Sequence, residues 1–231
     1  MIRALGERLV WHPEWWALAL CGGAWLALIG GASAAQSAVP FCGAVPDAGW
    51  TAAAGEATLM IAAMMLPLVL VPVRRTACAS LWRRRHRAIA GFLLGYAATW
   101  LAALAVEAAP FLAAPPARWV PAAAFAAAAL WEATPLKRRA LVLCDRTMPL
   151  RPHGWRADLD CLRFGVLQGR SCVMSCWAVM LAPLVVAQHL PVMAGVAVLC
   201  ATERYWPRRR PLLETAALAG AALCYLPAAL A

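Results

Sequence analysis

Residues 53–75 read AAGEATLMIAAMMLPLVLVPVRR. Between 53 and 73 the single charged residue is Glu56, and Arg74 and Arg75 follow at once. A helix of about 20 such residues, rising 1.5 Å each, crosses the roughly 30 Å of bilayer hydrocarbon. The apolar residues do not alternate with polar ones, so the segment reads as a helix and not as a lipid-facing strand. The same pattern recurs outward in both directions. Apolar runs cover about 15–35, 53–73, 88–109, 119–136, 164–188, 191–206 and 212–230.

The segments between the runs alternate in charge. Those after the second, fourth and sixth runs, about 74–87, 137–163 and 207–211, are rich in arginine. Those after the first, third and fifth hold one basic residue among them, Arg118. Basic loops stay in the cytoplasm, so the alternation predicts a multi-pass protein of the cell membrane, a bacterial inner membrane, with its N-terminus inside. The fold class expected is all-α: a polytopic transmembrane helix bundle of about seven spans, forming one domain over 1–231. The count falls to six if the last run, with Glu214 near its start and Pro227 near its end, does not insert. With seven spans the C-terminus lies outside. The first run reads as a retained helix, because 32–36 is a poor signal-peptide cleavage site.

Composition agrees. The chain is 64% hydrophobic and 14% charged, against about 25% charged in a soluble domain. Its net charge of +10 sits between apolar runs, which argues for topology and against nucleic acid. The partners expected are the lipid bilayer and, at the basic loops, anionic lipid headgroups. Most of the nine cysteines lie in apolar runs or expected cytoplasmic loops, which disfavours a disulfide framework. Gly91 and Gly95 form a small-xxx-small pattern that permits close helix packing.

Polar and sulfur-bearing residues inside hydrocarbon call for an explanation. Glu56, Met60 and Met64 are four apart and share a helix face, with Met65 one step round. Cys172, Cys176 and Met180 repeat at the same spacing, beside an Arg170 that would favour thiolate. Thiolates and thioethers suit Cu(I), and thiolates also suit zinc. The plain alternative is packing, since Met fills gaps and free Cys behaves as a small hydrophobe. His189 and Met193 lie near the expected outer end of the fifth and sixth runs, within reach of Glu56 and Met60 if those helices pack together. Glu203 beside Arg204 reads as a boundary charge. Glu107 and Glu132 are membrane acids that would pair with an arginine or mark a polar path.

These stretches resemble the DUF2182 family, described as predicted metal-binding integral membrane proteins. The resemblance rests on Met-Ile-Ala-Ala-Met-Met-Leu-Pro followed by Pro72, and on Thr134-Pro135-Leu136-Lys137-Arg138 with Cys144 beyond it. The block from Gly169 through Cys172, Cys176, Trp177 and Met180, and the pair Glu203-Arg204, complete it. It covers about 55–210. The family pattern has two adjacent cysteines before the tryptophan, and here Ser175 takes the first place. The cysteine after the Lys-Arg pair is replaced by Arg139, Ala140 and Leu141.

The function expected is binding or handling of a soft metal ion, copper first and zinc second. The metal residues are Glu56, Met60, Met64, Met65, Cys172, Cys176, Met180, His189 and Met193. Cys172 and His189 lie about 25 Å apart along a helix, enough to reach across most of a bilayer. A metal-delivery or membrane partner protein would complete such a pathway. Two other classes stay open: a non-metal scaffold or assembly subunit, and a membrane thiol enzyme activated by Arg170. No phosphate-binding glycine loop, His-Glu-x-x-His motif or Gly-x-Ser-x-Gly elbow supports an enzyme.

Overall fold

The computed structural model describes residues 12–34, 50–112, 116–186, 189–206 and 211–230. Among them every regular element is helical, as the unbroken apolar runs require. Helix α1 spans Trp15–Ala34 and α2 spans Trp50–Met65. A 3-10 turn, Leu66–Val69, separates α2 from α3, Leu70–Ala79. Proline causes this break. Pro67 has no N–H, so the carbonyl of Ala63, four residues back, loses its helical donor. That carbonyl accepts instead from the Trp25 indole at 3.0 Å and from the Cys21 thiol at 3.2 Å. The break is thereby tied to α1.

Helix α4, Arg85–Leu112, lies along α7, Trp155–Val185, in the most extensive helix pair of the described residues. Glycines allow the approach. A Cβ on Gly165 would collide with the Phe92 carbonyl oxygen, and one on Gly95 with that of Leu162. A Cβ on Gly169 would stand 2.8 Å from that of Thr99. Gly91, the other half of the sequence pattern, has ordinary room, its nearest neighbour being 3.6 Å away. Gly165→Ala should therefore destabilise the fold by about 1–3 kcal/mol through overpacking. A lowered melting midpoint in detergent, with Gly91→Ala nearly unchanged, is the expected result.

The remaining helices surround this pair. They are α5, Val120–Glu132; α6, Pro135–Leu143; α8, His189–Tyr205; and α9, Pro211–Leu230. Thr134 caps α6, its hydroxyl accepting from the Lys137 N–H at 3.3 Å, and Pro135 fills the first turn where no N–H is needed. Helix α9 lies along α5, with Phe125 and Tyr225 stacked at 5.4 Å. Helices α5, α6 and α8 pack on α7, and α2 touches both α4 and α8.

Among the described residues three helices are long and apolar enough to cross a membrane: Ala54–Ala79, Trp82–Phe111 and Trp155–Val185. The first, fourth and seventh apolar runs correspond to shorter apolar helices, Trp15–Gly31, Val120–Glu132 and Leu213–Pro227.

Two of the segments expected as cytoplasmic loops contain helix. Segments 74–87 and 137–163 are largely helical, belonging to α3, α4, α6 and α7. Their charges are accommodated by pairing: Arg84 and Arg87 both meet Asp158, Arg87 at 2.8 Å. Charge density marked the ends of helices, not the absence of helix. Of the third expected loop, 207–210 lies outside the described residues.

Candidate metal centre

The inward face of α7 carries Cys172, Cys176 and Met180, all buried. A small cavity of about 20 Å³ opens beside the two cysteines, and Cys144 and Cys200 also line it. That is room for about one water molecule or an ion of similar size. Cys144 ends α6, and Cys200 comes from α8. The Cys200 thiol points at the Cys176 sulfur across 3.8 Å. Two sulfurs bound at ~2.3 Å to one tetrahedral ion would stand about 3.8 Å apart. A tetrahedral ion would fit the pair as it stands, and a linear two-coordinate ion would push the two sulfurs apart.

Other side chains hold these sulfurs in place. The Tyr96 hydroxyl donates to the Cys172 sulfur at 3.2 Å and lies 3.4 Å from the Met65 carbonyl oxygen. It links the end of α2 to the sulfur cluster. Ser175 Oγ is 3.3 Å from the Cys176 sulfur. The Cys144 carbonyl accepts from Gln168 and, at 3.2 Å, from Arg204. Burial pushes the Cys144 thiol up to about 11, so at neutral pH a metal must displace its proton. Tyr96→Phe removes one buried donor, and about 1 kcal/mol of stability should go with it. A modest drop in melting midpoint together with faster alkylation of Cys172 is expected.

An ion triad stands next to the sulfurs. The Lys137 ammonium, only 2% exposed, bonds Glu132 and, at 2.6 Å, Glu203. Burial by itself would push Lys137 down. Glu203 and Glu132 outweigh it and hold the ammonium above the ordinary lysine range. Its charge therefore persists at neutral pH and fades only well above the normal lysine value. That charge also acts on the Cys176 sulfur. Carboxylate oxygens of Glu132, Glu203 and Glu214 lie within 4.8 Å of one another. They line a cleft of about 380 Å³ with Asp145, and Glu203 and Arg204 belong to both this cleft and the sulfur cavity. Lys137 bonds two of these three acids, Glu132 and Glu203.

The expected metal residues divide into three groups. Cys172 and Cys176 line the cavity. Met60, Met64, Met65, Met180 and Met193 are buried in the same core, but none lines the cavity. Leu68 and Val69, from the 3-10 turn, stand there in place of the α2 methionines. Glu56 is half-buried, and the His189 side chain lies outside the described residues.

Arg170 is exposed and does not line the cavity, because a residue two positions before Cys172 falls on the opposite helix face. The cations beside the sulfurs are Lys137 and Arg204. Glu132 pairs with a lysine and not with an arginine, and Glu203 is buried and is no boundary charge. Cys200 was not among the expected residues. Its signal was available in the buried stripe Met193, Val196, Cys200 and Glu203, which follows helical spacing.

No curated protein and no solved structure matches the chain. Residues 57–229, which hold the sulfur cluster and the ion triad, match the PpoB2 family, described as a copper chaperone, and the chain belongs to that family.

Proposed function

We propose that this protein is a membrane-embedded copper chaperone that takes Cu(I) as cargo at its buried sulfur cluster and hands it to a partner protein. The observation that carries the reading is the convergence of Cys144, Cys172, Cys176 and Cys200 on one ion-sized cavity. Thiolates are soft ligands that favour Cu(I). Loading releases protons: Cu⁺ + 2 RSH → [Cu(SR)₂]⁻ + 2 H⁺. The product is a buried anion; Lys137 is already balanced by Glu132 and Glu203, and Arg204, whose own partner Asp145 is exposed, is the cation left to face it.

The buried methionines supply weaker thioether ligands along α2, α7 and α8. A chain of such sites lets an ion exchange between ligands, where a single closed cage would hold it. Met60, Met64, Met65, Met180 and Met193 are the stations we assign, with Glu56 and His189 as groups at the far end. The long apolar helices support a multi-pass location in a bilayer, N-terminus inside, with its arginines against anionic headgroups. The stretch resembling DUF2182, about 55–210, overlaps the PpoB2 match over residues 57–229, and we read the two as describing one metal-handling unit. Zinc is the second ion the thiolates suit, and the family description favours copper.

Elemental analysis of protein purified in detergent, reduced and without oxygen, tests this. Stoichiometric copper in the natural chain and almost none in a Cys172→Ser/Cys176→Ser variant is the expected outcome. Equal, near-zero copper in both would defeat the reading and favour a scaffold.

A further inference from the structure

Three consecutive residues at the end of α6 line three different hollows. Cys144 lines the sulfur cavity, Asp145 the acidic cleft, and Arg146 a separate groove of about 480 Å³. Asp145 is paired with Arg204 at 2.7 Å. Arg146 has no such partner. Neither it nor Arg170, which lines the same groove, makes an ion pair among the described residues.

The rest of the groove has a particular chemistry. Met148 and Met174 line it, Met174 being 52% exposed, so thioethers stand beside the two guanidiniums. Gln168 lines both this groove and the sulfur cavity. Gln168 therefore forms part of the wall between the groove and the thiols. Guanidiniums recognise carboxylates through paired hydrogen bonds, and thioethers tolerate a soft metal.

We propose that the groove is the loading site, where Cu(I) arrives bound to a small anionic thiol whose carboxylates pair with Arg146 and Arg170. This rests on the sulfur cluster being the copper site. Transfer is a ligand exchange: [Cu(SR′)₂]⁻ + 2 RSH → [Cu(SR)₂]⁻ + 2 R′SH. The protein's two thiol protons pass to the departing thiolates, copper stays Cu(I), and no oxidant is needed. Charge complementarity selects the donor, and the shared wall at Gln168 shortens the route.

The experiment compares two copper donors, the Cu(I)–glutathione complex and Cu(I) in acetonitrile, on the natural chain and on Arg146→Gln/Arg170→Gln. Both arginines are exposed, so the variant should fold, which circular dichroism checks. The readout is the ratio of loading rates from the anionic and the neutral donor. That ratio should fall about tenfold in the variant, as expected for lost charge-assisted hydrogen bonds. An unchanged ratio overturns the proposal while leaving the sulfur site intact. Nanodiscs of phosphatidylglycerol in place of phosphatidylcholine give a further arm. If phosphatidylglycerol slows loading of the natural chain and not of the variant, the groove holds a lipid headgroup and the proposal fails. Failure of both proteins to take Cu(I) from acetonitrile would sink the sulfur-site reading, and this proposal with it.

Discussion

Replacing Lys137 with methionine is expected to cost about 3–5 kcal/mol of stability, because it strands two buried carboxylates without their counter-ion. The ammonium lies between Glu132 and Glu203, whose side chains are 3% and 4% exposed. One oxygen of Glu203 is buried with no hydrogen-bond partner even with the lysine present, so the site has little means of compensating its loss. Thermal unfolding in detergent measures the effect. The diagnostic control is Lys137→Met combined with Glu132→Leu and Glu203→Leu. Removing all three charges together should recover most of the lost stability, since a buried triad contributes little net energy compared with apolar residues of similar volume. A single variant as stable as the natural chain would mean that water or another cation reaches the carboxylates.

The same triad bears on copper. With Lys137 gone, an anionic cuprous thiolate would form beside two unpaired carboxylates. The triple variant removes one positive and two negative charges, so it should fold and hold copper at least as well as the natural chain, whereas Lys137→Met alone should hold it more weakly. That outcome separates the electrostatic role of Lys137 from its structural one.

The second large effect concerns Cys200. Cys200→Ser should weaken Cu(I) binding by at least about 100-fold, the upper end of what even an outer-shell change costs a metal site. The affinity is read by competition with a coloured Cu(I) chelator. The fold should survive, because serine is close in size and the Ser175 and Tyr96 contacts to the other sulfurs remain. An unchanged affinity would confine the site to α7 and remove α8 from it.

How much of this was legible in the sequence differs between fold and site. The helices were legible because lipid-like composition leaves few alternatives, and the break at Pro67 in the second run was not read from the sequence. The two basic segments carry helical turns whose arginines find acidic partners across the fold. Arg84 and Asp158 are 74 residues apart, a pairing that no local pattern displays. Glu203 was read as a boundary charge, and Lys137 as the start of a basic loop, for the same reason. Composition says that charge belongs at a surface, and only packing reveals a triad that satisfies it inside.

At the site, Cys172 and Cys176 were legible from their spacing of four. The methionines of α2 were correctly read as sharing a face, and that face is buried. Pro67 then turns the chain so that Leu68 and Val69 meet the sulfurs instead. Cys200 stood singly in its run, and its partnership with Cys176 is a contact between helices. Arg170 was judged by proximity in sequence, where the helix angle decides the matter.

X-ray absorption at the copper edge is the most direct measurement of sulfur convergence from separate helices. It should be made on reduced, copper-loaded protein with the exposed Cys78 and Cys224 replaced by serine. A Cu(I) edge with sulfur as the dominant nearest neighbour, and a loss of sulfur neighbours on adding Cys200→Ser, is the result this account gives. Copper surrounded by oxygen or nitrogen alone, or a sulfur environment indifferent to Cys200, would contradict it.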